Sequence, residues 1–167
     1  SAYYFTKDGF FLGDKQLKNI SQFPVKRYLE SFKYNPEKPG DTVRLWVAAQ
    51  EKINLDKKVR FFKTHNALVK IGQNDFTNRK NSLGGIYIVR DPRNALDSMS
   101  RHFQINHDRA LDVMQNEKNY IYDFQKKNDY SDYQFISSWA KNYQSWKNNK
   151  LMPVKFLKYE DLLNETF

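Results

Sequence analysis

The stretch Gly85 to Phe103, "GIYIVRDPRNALDSMSRHF", limits the fold more than any other part of the chain. Four apolar residues in a row, Ile86 to Val89, read as a buried strand. Arg90 falls where that strand stops. Asp91-Pro92 then fit the N-cap and first position of a helix running to about Phe103. Leu96, Met99 and Phe103 supply its expected buried stripe at helical spacing.

Two further strands are predicted, in "VRFFKTH" (59–65) and over Val154–Lys158. Helical patterns lie around and between them. "FPVKRYLESF" has helical character. Asp41 can cap a helix carrying Val43, Trp46, Val47 and Ile53 on one side. "HDRALDVMQNE" (107–117) reads as a short helix with Asp108 near its start. A longer helix should bury Phe135, Trp139, Tyr143 and Trp146. Segments 72–82 and 125–133 read as loops. Strands alternating with helices at crossover distance predict an α/β domain: a parallel sheet flanked by helices, with three strand ends on one edge.

Ligands in such sheets sit beyond the carboxyl ends of the strands. Each predicted strand ends in polar groups: Lys63-Thr64-His65, Arg90, and Tyr159-Glu160-Asp161. A helix N-terminus attracts anions, and a guanidinium placed just before it can fork onto a phosphate. Ser98 lies six residues past Pro92, roughly 9 Å along the axis. Arg90 and Ser98 could therefore grip one phosphate; alternatively Arg90 pairs with a nearby carboxylate and Ser98 is merely a small helical residue. In extended backbone Lys63 and His65 point the same way. The cation could steady developing negative charge while a neutral imidazole acts as base. The plainer alternative is a surface lysine beside a loop histidine.

His102 reads as a surface histidine and His107 as part of a helix start. The Trp139–Trp146 stripe reads as core rather than a stacking platform. No spacing suggests a metal site.

The 167 residues suffice for one domain with a real core. With 13 Phe, 11 Tyr and 3 Trp, the chain is too aromatic for disorder. The absence of cysteine excludes disulfides and thiolate metal sites and fits a cytoplasmic protein. No apolar run reaches membrane-span length. The net charge of +9 favours an anionic partner.

Three ordered segments resemble the cytosolic-type sulfotransferases, which use 3′-phosphoadenosine 5′-phosphosulfate (PAPS). "FFKTHNAL" is similar to the family's Lys-Thr-His strand end, and "IYIVRDPRNALDSMSRHF" to its 3′-phosphate segment. "VKFLKYEDLL" is similar to the strand ending in Tyr-Glu-Asp, with a tryptophan-bearing helix before it. The likeness covers roughly residues 42 to 163. It implies a P-loop-like sulfotransferase fold, with residues 1–167 forming a single partial domain. Arg90 and Ser98 would bind the 3′-phosphate, and Tyr159 would lie against the adenine side. His65 would take the acceptor's proton, and Lys63 would stabilise the sulfuryl charge. No metal would be needed. The partner would be a small-molecule or carbohydrate acceptor bearing a hydroxyl or amine, and not a nucleic acid.

The family's 5′-phosphosulfate loop and its late Arg-Lys-Gly segment are both missing. The chain is thus expected to be a piece of a longer one, with "SAYYF" ending the helix after that loop. A different nucleotide-binding α/β transferase, or a basic nucleic-acid-binding module without catalysis, are the competing expectations. The module would need basic and aromatic residues exposed together, whereas the aromatics here fall at core spacings.

Overall fold

The computed structural model describes residues 20–123, 125 and 132–164. The expected tail of a helix at "SAYYF" and most of the loop within 125–133 lie outside these residues. In chain order the strands are β1 (Ser21–Gln22), β2 (Phe62–Lys63), β3 (Lys70–Ile71), β4 (Asn74–Asp75), β5 (Gly85–Val89), β6 (Tyr120–Ile121), β7 (Gln134–Phe135) and β8 (Val154–Lys158). The α-helices are α1 (Lys26–Leu29), α2 (Trp46–Ile53), α3 (Pro92–Phe103), α4 (His107–Gln115), α5 (Trp139–Lys147) and α6 (Tyr159–Asn164).

The expected strands are joined in pairs. β5 runs parallel to β8, with Gly85 opposite Val154 and Val89 opposite Lys158. The crossover between them contains α3, α4 and α5, as parallel pairing requires. β2 runs parallel to β1 instead, and the Phe23 N–H donates to the Lys63 carbonyl at 2.9 Å. No backbone ladder joins β2 to β5 among the described residues. The predicted 59–65 strand shrinks to Phe62–Lys63 because only that part meets a partner edge.

Two antiparallel pairs were not legible as strands. β3 and β4 form a hairpin that runs into the predicted 72–82 loop, turning at Gly72 with φ +60°. That left-handed conformation is one glycine adopts without a Cβ clash. β6 pairs with β7, which takes Phe135 away from the predicted helix. That helix, α5, starts at Trp139, where the Ser138 hydroxyl accepts from the Lys141 N–H.

Asp41 does not act as the expected N-cap. Gly40, with φ +80°, precedes a 3-10 turn over Asp41–Leu45 that leads into α2. Asp41 instead accepts from the Asn35 N–H and from Arg44.

The core forms where α2 meets the β2 and β3–β4 region. Trp46, Leu29 and Ala49 are fully buried beside Phe23, Val43, Leu45 and Phe76. The Trp46 and Phe76 rings meet edge-on, 5.3 Å apart. Trp146 joins the same core from α5 and reaches β5 through Tyr87. A Cβ on Gly84 would come within 3.1 Å of the Pro153 carbonyl, so the missing side chain lets β5 start close beside β8.

The expected stripe on α3 is only partly covered. Leu96 and Met99 are half-buried, whereas Phe103 is 62% exposed. The helix presses against α4 and buries no residue completely.

Candidate active site

The turn from β5 into α3 forms as its sequence directs. Asp91 is the N-cap, and its carboxylate accepts from the Arg93 N–H at 2.9 Å. Pro92 takes the first helical position, where its missing N–H costs nothing. Arg93 also forks onto Asp91, at 3.1 and 2.8 Å, and this pair lowers the Asp91 carboxyl to about 2.

The carboxylate nearest Arg90 in sequence is therefore taken by Arg93. Arg90 itself makes no ion pair among the described residues. Its Nε is buried without a hydrogen-bond partner. Its guanidinium carbon lies 4.8 Å from the centroid of the Tyr159 ring, a cation–π contact. Tyr159 follows β8, so the parallel register that sets Val89 against Lys158 brings these two residues together. Ser98 is half-buried on α3.

Lys63 is the exposed last residue of β2, and His65 sits in the turn that follows. That turn is held by side chains from β7 and α5. The His65 N–H donates to Gln134 Oε1 at 3.3 Å, and its carbonyl accepts from Asn142 Nδ2 at 3.2 Å. Asn66 receives the Phe135 N–H on its side chain and the Trp146 indole N–H on its carbonyl. The Leu68 N–H donates to Ser145 Oγ. This places the His65 backbone between two amide side chains. Burial lowers the imidazole pKa, with the Lys63 charge adding to the effect. Both act against the charged form, so the ring is neutral at neutral pH.

Asn142 connects the two halves of the site. Its Oδ1 accepts from the Tyr87 hydroxyl at 3.1 Å, while Nδ2 donates to the carbonyls of His65 and Ile136. Tyr87 lies on β5 and Arg90 directly beyond its end. Burial, with help from Tyr143, pushes the Tyr87 phenol up to about 12, which keeps it a donor. The sequence pattern singled out neither Asn142 nor Gln134, while Glu160 stood only among the polar groups at a strand end. A signal existed for Asn142: it stands three residues after Trp139 and four before Trp146, a polar group within an apolar stripe.

His102 and His107 lie apart from this arrangement. His102 is exposed against Phe103, and His107, the first residue of α4, pairs with Asp97 at 2.8 Å. Among the described residues no cluster of His, Asp or Glu could hold a metal ion. None of their helices is long and apolar enough to cross a membrane.

An arginine without an ion pair among the described residues thus stands just ahead of a helix N-terminus, and a neutral histidine lies two residues from a lysine. The chain belongs to the sulfotransferase domain family, whose model matches residues 17–167. Membership makes it a transferase of sulfuryl groups on a P-loop-like α/β fold. No curated protein and no solved structure matches the chain.

Proposed function

We propose that this chain serves a PAPS-dependent transfer of a sulfuryl group to a hydroxyl or amine of a small-molecule or carbohydrate acceptor. The carrying observation is the Arg90 guanidinium: it stands at the strand end before the N-terminus of α3, with its Nε buried and lacking a hydrogen-bond partner. A buried unpartnered donor costs about 1–3 kcal/mol, a cost that a 3′-phosphate would relieve.

The residues fit such a donor. Arg90 and Ser98 would hold the 3′-phosphate, with Tyr159 stacked behind the guanidinium and facing the adenine side. The bound donor supplies an activated sulfuryl group on a nucleotide leaving group. His65, neutral through burial and the nearby Lys63, would accept the proton of the attacking acceptor atom. Lys63 would complement negative charge spreading over the sulfuryl oxygens. The chain's task is mainly to position two reactants and match that charge.

The same reading takes residues 1–167 as part of one domain. Its parallel pairs β1–β2 and β5–β8 would belong to one sheet flanked by helices, with both strand ends on one cleft. The Tyr87–Asn142–His65 chain of hydrogen bonds supports this. The cysteine-free composition supports a cytoplasmic setting.

Calorimetric titration of the full-length protein tests the reading. Arg90→Ala should weaken adenosine 3′,5′-bisphosphate by about 1.5–3 kcal/mol and barely affect adenosine 5′-phosphate. Ser98→Ala should show the same selectivity at smaller size. Equal losses for both nucleotides would assign Arg90 a structural role and reject the proposal.

A further inference from the structure

We infer that Glu160 is a positioning residue for the anion site: its carboxylate fixes the backbone bend that aims Arg90. The inference rests on the reading of Arg90 as the phosphate grip. Glu160 Oε1 accepts from the Asp91 N–H at 3.1 Å and, over a longer 3.4 Å, from Asn94 Nδ2. Asp91 directly follows Arg90, and Asn94 lies in the first turn of α3. One carboxylate oxygen therefore spans the bend from strand exit to helix.

The pairing of β5 with β8 explains how this arises. Val89 faces Lys158 at the last rung of the ladder. Past that rung the same register sets Arg90 beside the Tyr159 ring and the Asp91 N–H beside Glu160. Consecutive residues at the end of β8 thus hold the guanidinium and the backbone behind it.

The charge on Glu160 argues for this role over proton transfer. A carboxylate near a phosphate site repels the ligand, so the group's contribution must come from something other than charge. Accepting a backbone N–H is such a contribution, and a neutral amide oxygen also accepts one. The Asp91 N–H is also the largest influence lowering the Glu160 carboxyl pKa. A carboxylate stabilised in this way is a weak proton acceptor at neutral pH.

The test uses calorimetry on the full-length wild type, Glu160→Ala, Glu160→Gln and Arg90→Ala, each with adenosine 3′,5′-bisphosphate and adenosine 5′-phosphate. Glu160→Ala should weaken the bisphosphate ~5–20-fold and change the monophosphate less than ~2-fold. Glu160→Gln should restore wild-type affinity for the bisphosphate or exceed it, because it keeps the acceptor and removes the repulsion. A glutamine variant as weak as the alanine variant overturns the inference, as does an alanine variant that binds like wild type. Should Glu160→Ala not fold, Glu160→Asp, one methylene short of the Asp91 N–H, is read by the same criteria. A selective loss in Arg90→Ala alone rejects only the positioning role. An unselective Arg90→Ala rejects the phosphate reading, and the inference with it.

Discussion

Arg90 and Tyr159, 69 positions apart in the chain, meet in a cation–π contact, with the guanidinium carbon 4.8 Å from the ring centroid. The contact is between the guanidinium carbon and the ring, and the buried Arg90 Nε has no hydrogen-bond partner. An exposed cation–π contact is worth about 0.5–1 kcal/mol. Tyr159→Leu should therefore weaken adenosine 3′,5′-bisphosphate roughly 2–5-fold. Tyr159→Phe keeps the ring face and should bind within about 2-fold of wild type. If calorimetry shows equal losses for both variants, the hydroxyl and not the ring is the active part.

His65 as base predicts a separation of turnover from binding. His65→Gln should lower the rate ~10²–10⁴-fold with bisphosphate affinity nearly unchanged. Release of the bisphosphate from PAPS, with a sulfated acceptor formed in parallel, measures the rate. Near-normal turnover in the variant assigns the base to another group.

The pH profile follows from the direction of the His65 shift. Its folded pKa lies below the ordinary 6.5, so the neutral, competent ring persists into mildly acidic solution. The acid limb of the rate profile should accordingly have its midpoint below 6.5. Stability has the same sign. The unfolded histidine binds a proton more readily, so this contribution is present above 6.5 and lost as pH falls through the folded value. Lys63→Met removes the smaller cause and should raise the midpoint part of the way toward 6.5. A midpoint unmoved by that change would show that burial alone sets the shift.

Asn142→Ala deletes three hydrogen bonds at once, to Tyr87, His65 and Ile136. It leaves the Tyr87 hydroxyl and two carbonyls in search of partners, and should cost about 1–3 kcal/mol in denaturant unfolding. Tyr87→Phe removes only the hydroxyl and should cost about 1 kcal/mol. Both should reduce turnover more than bisphosphate affinity, since the His65 segment loosens while Arg90 stays in place. A loss confined to affinity would contradict the positioning of His65 through Asn142.

Trp46 anchors the core at 0% exposure. Trp46→Ala should destabilise the fold by about 3–5 kcal/mol in chemical denaturation. Trp46→Phe should cost far less than that, because it retains an aromatic ring and removes an indole N–H that has no partner among the described residues. A phenylalanine variant as unstable as the alanine variant would reveal an unrecognised role for that N–H.

Local chemistry determined the β5–α3 turn. An apolar run, a capping aspartate and a proline at the first helical position are short-range signals, and they produced the strand, cap and helix where the residues indicated. Strand β8 was legible for the same reason. Belonging to the sulfotransferase domain family was legible from three ordered motifs.

Partners were a matter of tertiary structure. Nothing local tells that Phe62–Lys63 would pair with Ser21–Gln22, or that Phe135 would enter a strand with Tyr120. Two-residue strands have almost no periodicity, and they exist only where another segment presents its edge. Phe103 shows the reverse case: the helical spacing was right, but the residue stays 62% exposed, with the neighbouring His102 ring against it. The supports of the site are equally nonlocal. Gln134 and Asn142 clamp His65 from some 70 positions away, and Glu160 holds Asp91 across a similar gap. The sequence determines which side chains can bind an anion or take a proton. Long-range packing decides which backbone carries them and in what direction they point, because hydrogen bonds to the backbone depend on neighbours in space.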